Sequence, residues 1–204
     1  MKKSLFAGIA CLTMSLTNPV FATNDAAAGQ AKSALCAGCH SADGNSMVPM
    51  FPKLAGQHPG YLAKQLADFK AGTVRNDPTM AGMVAGLSEE DMSDLAAYFS
   101  SQTADPGTAY DAAKAAAGET IFRGGITDIG VAACASCHSP TGHGNPAANF
   151  PRLAGQHSAY IIKQLTDFKA STRSNDAGKM MRNVVKHMTE EQIAQVAEYI
   201  SGLQ

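Results

Sequence analysis

Two pentapeptides carry the chemistry of this sequence, CAGCH at 36–40 and CASCH at 134–138. C-x-x-C-H is the attachment signature of c-type haem: two cysteine sulfurs become thioethers and the adjacent histidine supplies the proximal iron ligand. The spacing has a geometric reason, because one helical turn carries both sulfurs to the two vinyl positions while the next residue swings beneath the iron. On this reading Cys36, Cys39 and His40 hold one covalent haem c, and Cys134, Cys137 and His138 hold a second. The rival uses of C-x-x-C want other surroundings. A thioredoxin-type redox pair belongs in a βαβ unit, and structural zinc needs further Cys or His ligands at short spacing. Plain disulfides suit an oxidising compartment, but two copies of the full signature at equivalent places in a duplicated chain point to haem.

The other face of each iron decides the class of function. A low-spin electron carrier needs a permanent sixth ligand, whereas an enzyme binding peroxide or oxygen needs an open or displaceable position. Thioether candidates are Met47, Met50, Met80 and Met83 in the first half, and Met180, Met181 and Met188 in the second. Any one of them taken alone reads better as a flexible core filler. Histidines 58 and 157 also recur in both halves and are the competing ligands; bis-histidine ligation would lower both potentials. They directly precede amphipathic segments, where a surface or capping role also suits them. His143 and His187 have no counterpart and read as surface residues.

Internal repetition arbitrates among the sulfurs. FPKLAGQH at 51–58 returns as FPRLAGQH at 150–157, and KQLADFKA at 64–71 returns as KQLTDFKA at 163–170, both at an offset of 99. Such long-period similarity marks a duplicated domain rather than a solenoid. Past Asn76-Asp77 and Asn175-Asp176 the offset becomes 101, as Ser88 against Thr189 and Tyr98 against Tyr199 show. Two residues are therefore inserted in the second copy. In the new register Met80 falls opposite Met181, Met83 opposite Val184, and Met180 opposite Thr79. Met80 and Met181 are accordingly the expected sixth ligands, a Met/His arrangement established for cytochromes c.

The elements that must position these groups read as helices. Leu62, Leu66 and Phe69 recur at helical spacing, as do Ile161, Leu165 and Phe168. Ser88-Glu89-Glu90-Asp91 and Thr189-Glu190-Glu191-Gln192 look like helix starts, the second with the full Thr/Gln capping-box pattern. Ala-rich segments around 27–29 and 116–118 suit a helix at the start of each half. No strand-like alternation is present, so the fold class is all-α, in two tandem domains. Pro, Gly and small polar residues at 101–113 separate the copies, giving 23–105 as the N-terminal domain and 106–204 as the C-terminal one. Each is poor in aromatics and has no Trp, so a large planar cofactor helps to fill its centre.

Residues 1–22 read as an export signal: Lys2 and Lys3, an apolar stretch, then Val20-Phe21-Ala22 at the cleavage site. The apolar run is short and interrupted for a membrane anchor, and Gly8 is the wrong residue for lipidation at Cys11. The mature chain is therefore expected in the periplasm. It carries 14 basic and 17 acidic residues once Lys2 and Lys3 are removed, and nothing in that balance suggests nucleic acid. The charge is uneven: Thr23 to Gly107 holds five basic and nine acidic residues, Thr108 to Gln204 nine and eight. The acidic first half is expected to stabilise ferric iron and give the lower-potential haem.

The two C-x-x-C-H lobes, FPKLAGQ and FPRLAGQ after each, the KQLxDFKA helices, AAYFSSQ closing the first lobe and EYISGLQ closing the second together resemble the dihaem cytochrome c4 family. The match covers essentially the whole mature chain. The resemblance implies two cytochrome c-like lobes related by a pseudo-twofold axis, His40 with Met80 and His138 with Met181 as axial pairs, and no enzymatic turnover. It also implies a monomeric respiratory carrier that takes electrons from a donor such as a quinol-oxidising complex and passes them towards a terminal oxidase, with loose peripheral attachment to the membrane. Pro52 and Pro151 resemble the proline whose carbonyl accepts a hydrogen bond from the proximal imidazole. The second lobe departs by one residue between His138 and Pro151 and by nine around FRGGITDIG. The alternative function is a dihaem enzyme, a peroxidase or a sulfur-compound dehydrogenase subunit; no additional acid/base constellation supports it.

Overall fold

The computed structural model describes residues 24–204, so the expected export signal lies outside the described residues. In the first lobe α1 (Ala26–Lys32), α2 (Ala34–His40), α3 (Pro59–Ala71), α4 (Pro78–Val84) and α5 (Glu89–Ser101) follow in order. The second lobe repeats the plan with α6 (Ala112–Gly124), α7 (Ala135–His138), α8 (Ser158–Lys169), α9 (Met180–Val185) and α10 (Glu190–Gly202). Among the described residues β pairing is limited to three isolated bridges. The fold is all-α, in two like lobes.

Each lobe is built on one helix crossing. Gly29 lets α1 lie on α5, since a Cβ there would overlap the Asp94 carbonyl; Gly118 does the same for α6 on α10, against the Gln195 carbonyl. The tripeptide AAG recurs for that reason. The closing helices start on reciprocal capping boxes, Ser88 with Asp91 and Thr189 with Gln192. The sequence pattern gave full box chemistry only to the second, but the Asp91 carboxylate also reaches back, 2.8 Å from the Ser88 N–H.

Their buried faces differ in extent. Leu62, Leu95, Ala96, Tyr98 and Phe99 form the core cluster of lobe one, whereas thirteen buried apolar residues centred on Phe122, Ile193, Val196 and Ala197 form that of lobe two. The nine-residue insertion adds to the second core. It turns through a short 3₁₀ segment, Thr127–Ile129, closed by the Ile126–Val131 bridge, and buries Val131. Between the lobes, Asp105 N–H still donates to Asn45 of lobe one, while Thr108 O accepts from Ser201 of lobe two. The chain changes allegiance around Gly107, where a side chain would overlap the Ser201 carbonyl.

Candidate haem pockets

His40 ends α2 and His138 ends α7, and both rings are buried. Immediately after each, a serine takes a left-handed conformation, Ser41 at φ 66° and Ser139 at φ 67°. That reversal sends the chain away from the helix axis. Gly44 and Gly142, also at positive φ, then hold the returning segment: Leu54 N–H donates to Gly44 O, and Leu153 N–H to Gly142 O, both at 2.7 Å. The loop closes so that His40 Nδ1 donates to the Pro52 carbonyl at 2.9 Å and His138 Nδ1 to the Pro151 carbonyl at 3.0 Å. With its Nδ1 proton committed, each neutral imidazole presents the Nε2 lone pair, which is the requirement for a metal ligand. Burial lowers both histidine pKa values, and the proline carbonyls act only partly against it.

The single-residue insertion between His138 and Pro151 sits in the loop closed by the Asn145–Phe150 bridge, and Phe150 keeps the same position beside its histidine that Phe51 has in lobe one. The four cysteines are unpaired. Burial raises the Cys36 thiol and pushes Cys134 up to about 11, so neither is poised as a thiolate for disulfide exchange. Among the described residues no group of three or more His, Cys, Asp or Glu gathers to hold a metal ion.

The methionines fall into distinct environments. Met47, Met50, Met83 and Met180 are exposed, and Met188 is a fully buried filler of the second core. Met80 and Met181 are half-buried, at the same step of α4 and α9. Val84 and Val185, each 1% exposed, fix the register. They stand 101 residues apart, so the two-residue insertion lies before the helices. It forms the 3₁₀ turn Ala177–Lys179, with Gly178 and Lys179 in left-handed geometry. α4 instead starts from Asp77, which accepts from the Thr79 and Met80 N–H groups. In lobe two Asp176 pairs with Arg182 at 2.7 Å, beside Met181.

His58 and His157 stand at the N-cap positions of α3 and α8, but their side chains make no capping bond and turn to the other lobe instead. His58 Nε2 donates to the His143 carbonyl of lobe two at 2.8 Å, and His157 Nε2 to the Ser46 carbonyl of lobe one at 2.7 Å. Gln57 and Gln156, their neighbours, make reciprocal amide pairs with the backbone of Arg152 and Lys53. The AGQH repeat is thus the lobe-to-lobe seam, a role that sequence reading missed. Its double occurrence was the available signal. His143 and His187 are exposed, as expected.

Two like all-α lobes, each carrying a C-x-x-C-H helix end whose histidine is locked by a proline carbonyl, define the class of tandem c-type cytochromes. A sequence model of the cytochrome c family matches residues 26–103 and again 115–204. Cytochrome c4 of Azotobacter vinelandii is 48% identical over 94% of this chain and 95% of its own length, and that of Pseudomonas aeruginosa 49% identical over the same shares. The crystal structure of reduced recombinant cytochrome c4 from Pseudomonas stutzeri superposes with a TM-score of 0.85 at 49% identity, covering 88% of this chain and 99% of that one. The chain belongs to the cytochrome c4 family, and is therefore a dihaem electron carrier with two covalently bound haem c groups rather than an enzyme.

Proposed function

We propose that the protein is a periplasmic respiratory carrier in which His40 and Met80 ligate one iron and His138 and Met181 the other. In this reading Cys36, Cys39, Cys134 and Cys137 form the thioethers. The observation that carries it is a repetition in both lobes: a buried histidine locked by a proline carbonyl, and further along the chain the one methionine that has a counterpart in the other lobe. When bound, each haem supplies a ferric/ferrous couple.

The polypeptide supplies constancy. Pro52 and Pro151 hold the imidazoles in one tautomer and orientation, and α4 and α9, anchored by Val84 and Val185, hold the thioethers. Ligands that stay in place through a redox change keep reorganisation small, and the apolar clusters around each site keep water out. Electrons would enter from a quinol-oxidising complex and leave to a terminal oxidase, with the carrier a monomer loosely attached to the membrane face. Among the described residues no helix is long and apolar enough to cross a membrane.

Two measurements test the physiological reading. Cell fractionation with mass spectrometry is expected to find the haem-bearing chain in the periplasm, beginning at Thr23. The pre-reduced protein, mixed with oxidase-containing membranes, is expected to reoxidise in a cyanide-sensitive reaction. A cytoplasmic location, or reoxidation indifferent to cyanide, would overturn it.

A further inference from the structure

The loop that carries Met181 is tied down in a way that the loop carrying Met80 is not. Its base lies at the seam between the lobes, where Arg173 pairs with Arg75 through a β bridge and the Ser174 N–H donates to the Val74 carbonyl at 2.7 Å. Asn175, the next residue, spends its whole side chain there. Its amide donates to Gln65 Oε1 at 2.8 Å and to Asp68 Oδ2 at 2.6 Å, both on α3 of lobe one, and its side-chain oxygen accepts from Arg173 Nε. The Asn175 carbonyl accepts from Lys64 Nζ of the same α3. Asn76, the counterpart in lobe one, is exposed, and among the described residues its side chain makes no bond to lobe two.

A second tie closes the far end of the loop. The Asp176 carboxylate, 4% exposed, accepts from the Arg182 N–H at 2.9 Å through one oxygen and from Arg182 Nε at 2.7 Å through the other. The same guanidinium reaches on to the Ser174 carbonyl at 3.3 Å. Residues 176–182 are therefore a closed ring with Met181 inside it. The position of Arg182 is taken in lobe one by Ala81, and there Asp77 only caps α4. The two-residue insertion creates the need for such a ring. Gly178 and Lys179 hold left-handed φ values of 60° and 59°, a conformation that glycine adopts freely and lysine does not. A turn strained in this way opens readily unless its ends are fixed. The Asp176–Arg182 contact fixes them firmly, because parting it would leave a charge uncompensated and away from water.

We propose that Asn175, Asp176 and Arg182 are positioning residues for Met181, and that they make the methionine–iron bond of lobe two the more resistant of the pair to displacement by an external ligand. Lobe one takes part through α3, which holds the base of the loop. This rests on Met181 as the sixth ligand, as proposed above. A thioether leaves an iron only when the segment carrying it swings away, so local opening of the loop precedes entry of the incoming ligand. Fixing both ends of the loop makes that opening rarer.

The test is displacement of methionine by imidazole in the haem-loaded, ferric full chain at fixed pH, followed through loss of the weak far-red sulfur-to-iron band. Met80→Ala and Met181→Ala backgrounds each leave one such bond to observe. The bond of lobe two is expected to be displaced about tenfold more slowly than that of lobe one, the scale of one charge-assisted hydrogen bond. Adding Arg182→Ala to the Met80→Ala chain is expected to remove that difference, and Arg182→Lys, which keeps a cation for Asp176, to restore part of it. Added to the Met181→Ala chain, Arg182→Ala is expected to leave the rate unchanged. Equal rates in the two lobes, a rate in lobe two indifferent to Arg182→Ala, or acceleration of both lobes alike overturns the proposal. Should Arg182→Ala fail to assemble, Asn175→Ala carries the test, since it leaves the buried pair intact and cuts only the tie to α3. A several-fold acceleration confined to lobe two supports the clamp, and an unchanged rate overturns it. The spectra keep the two failures apart: a Met181→Ala chain that retains the full band overturns the ligand reading, whereas a halved band with unaltered rates overturns the clamp alone.

Discussion

At the scale of single residues, the glycines at the helix crossings set the sharpest limits. Gly29 and Gly118 leave no room for a methyl group against the carbonyls of Asp94 and Gln195. Backbone cannot retreat as a flexible side chain can, so Gly29→Ala is expected to destabilise lobe one by more than about 3 kcal/mol. Denaturation followed through the haem band of each lobe checks this; a loss below about 1 kcal/mol would mean that the helices can slide apart. The histidine geometry was partly legible in sequence, because C-x-x-C-H and the following proline are short-range patterns. What position Met80 or Met181 takes depends on a loop insertion that only a downstream anchor dates, and Val84 and Val185 supply that anchor in space.

At the scale of elements, the two closing helices share capping boxes but differ in what holds their partners. Replacing the cap with alanine, Ser88→Ala or Thr189→Ala, is expected to cost about 1 kcal/mol in the lobe concerned, measured by thermal unfolding. Lobe one adds an ionic clasp that lobe two lacks at the equivalent place: Lys32 bonds Asp94 at 2.9 Å and Asp91 at 2.7 Å, where α10 has Gln195. The Lys32 ammonium first, and the Asp25 N–H after it, hold the Asp94 carboxyl below its usual range. A depressed carboxylate pKa contributes stability that is present above the unfolded value and lost as the pH falls below about 3.8. Lobe one, with the smaller core cluster, is therefore expected to unfold first in acid, and Asp94→Asn to flatten that pH slope. Acid unfolding of the two lobes in the opposite order would contradict it. Helical spacing revealed these elements in the sequence. The long-range clasp between α1 and α5 joins residues 62 apart and left no periodic trace.

At the scale of the whole molecule, the pseudo-twofold is visible in the sequence as a repeat, yet its contact surface is not. The arginines at its centre stand 98 residues apart while the flanking motifs stand 99 apart. Alignment of the copies therefore places Arg75 opposite Ser174 and hides the pair that the β bridge brings together. Likewise the AGQH repeat precedes a helix start, which invites a capping role; only the second lobe's presence turns His58 and His157 outward into cross-lobe donors. The uneven charge belongs to this scale too. With five basic and nine acidic residues, the first lobe is expected to favour ferric iron more than the second. The haem of lobe one is expected to have the lower potential, and equal or reversed values, assigned with lobe-specific ligand variants, would remove the argument.

Met80 and Met181 are proposed to complete two equivalent His/Met haem sites. The oxidised visible spectrum tests it most directly, with wild type beside Met80→Ala and Met181→Ala. Each variant is expected to keep both covalent haems and to lose half of the weak far-red sulfur-to-iron band. Survival of the full band in either variant would contradict the assignment and return that iron's sixth ligand to another side chain.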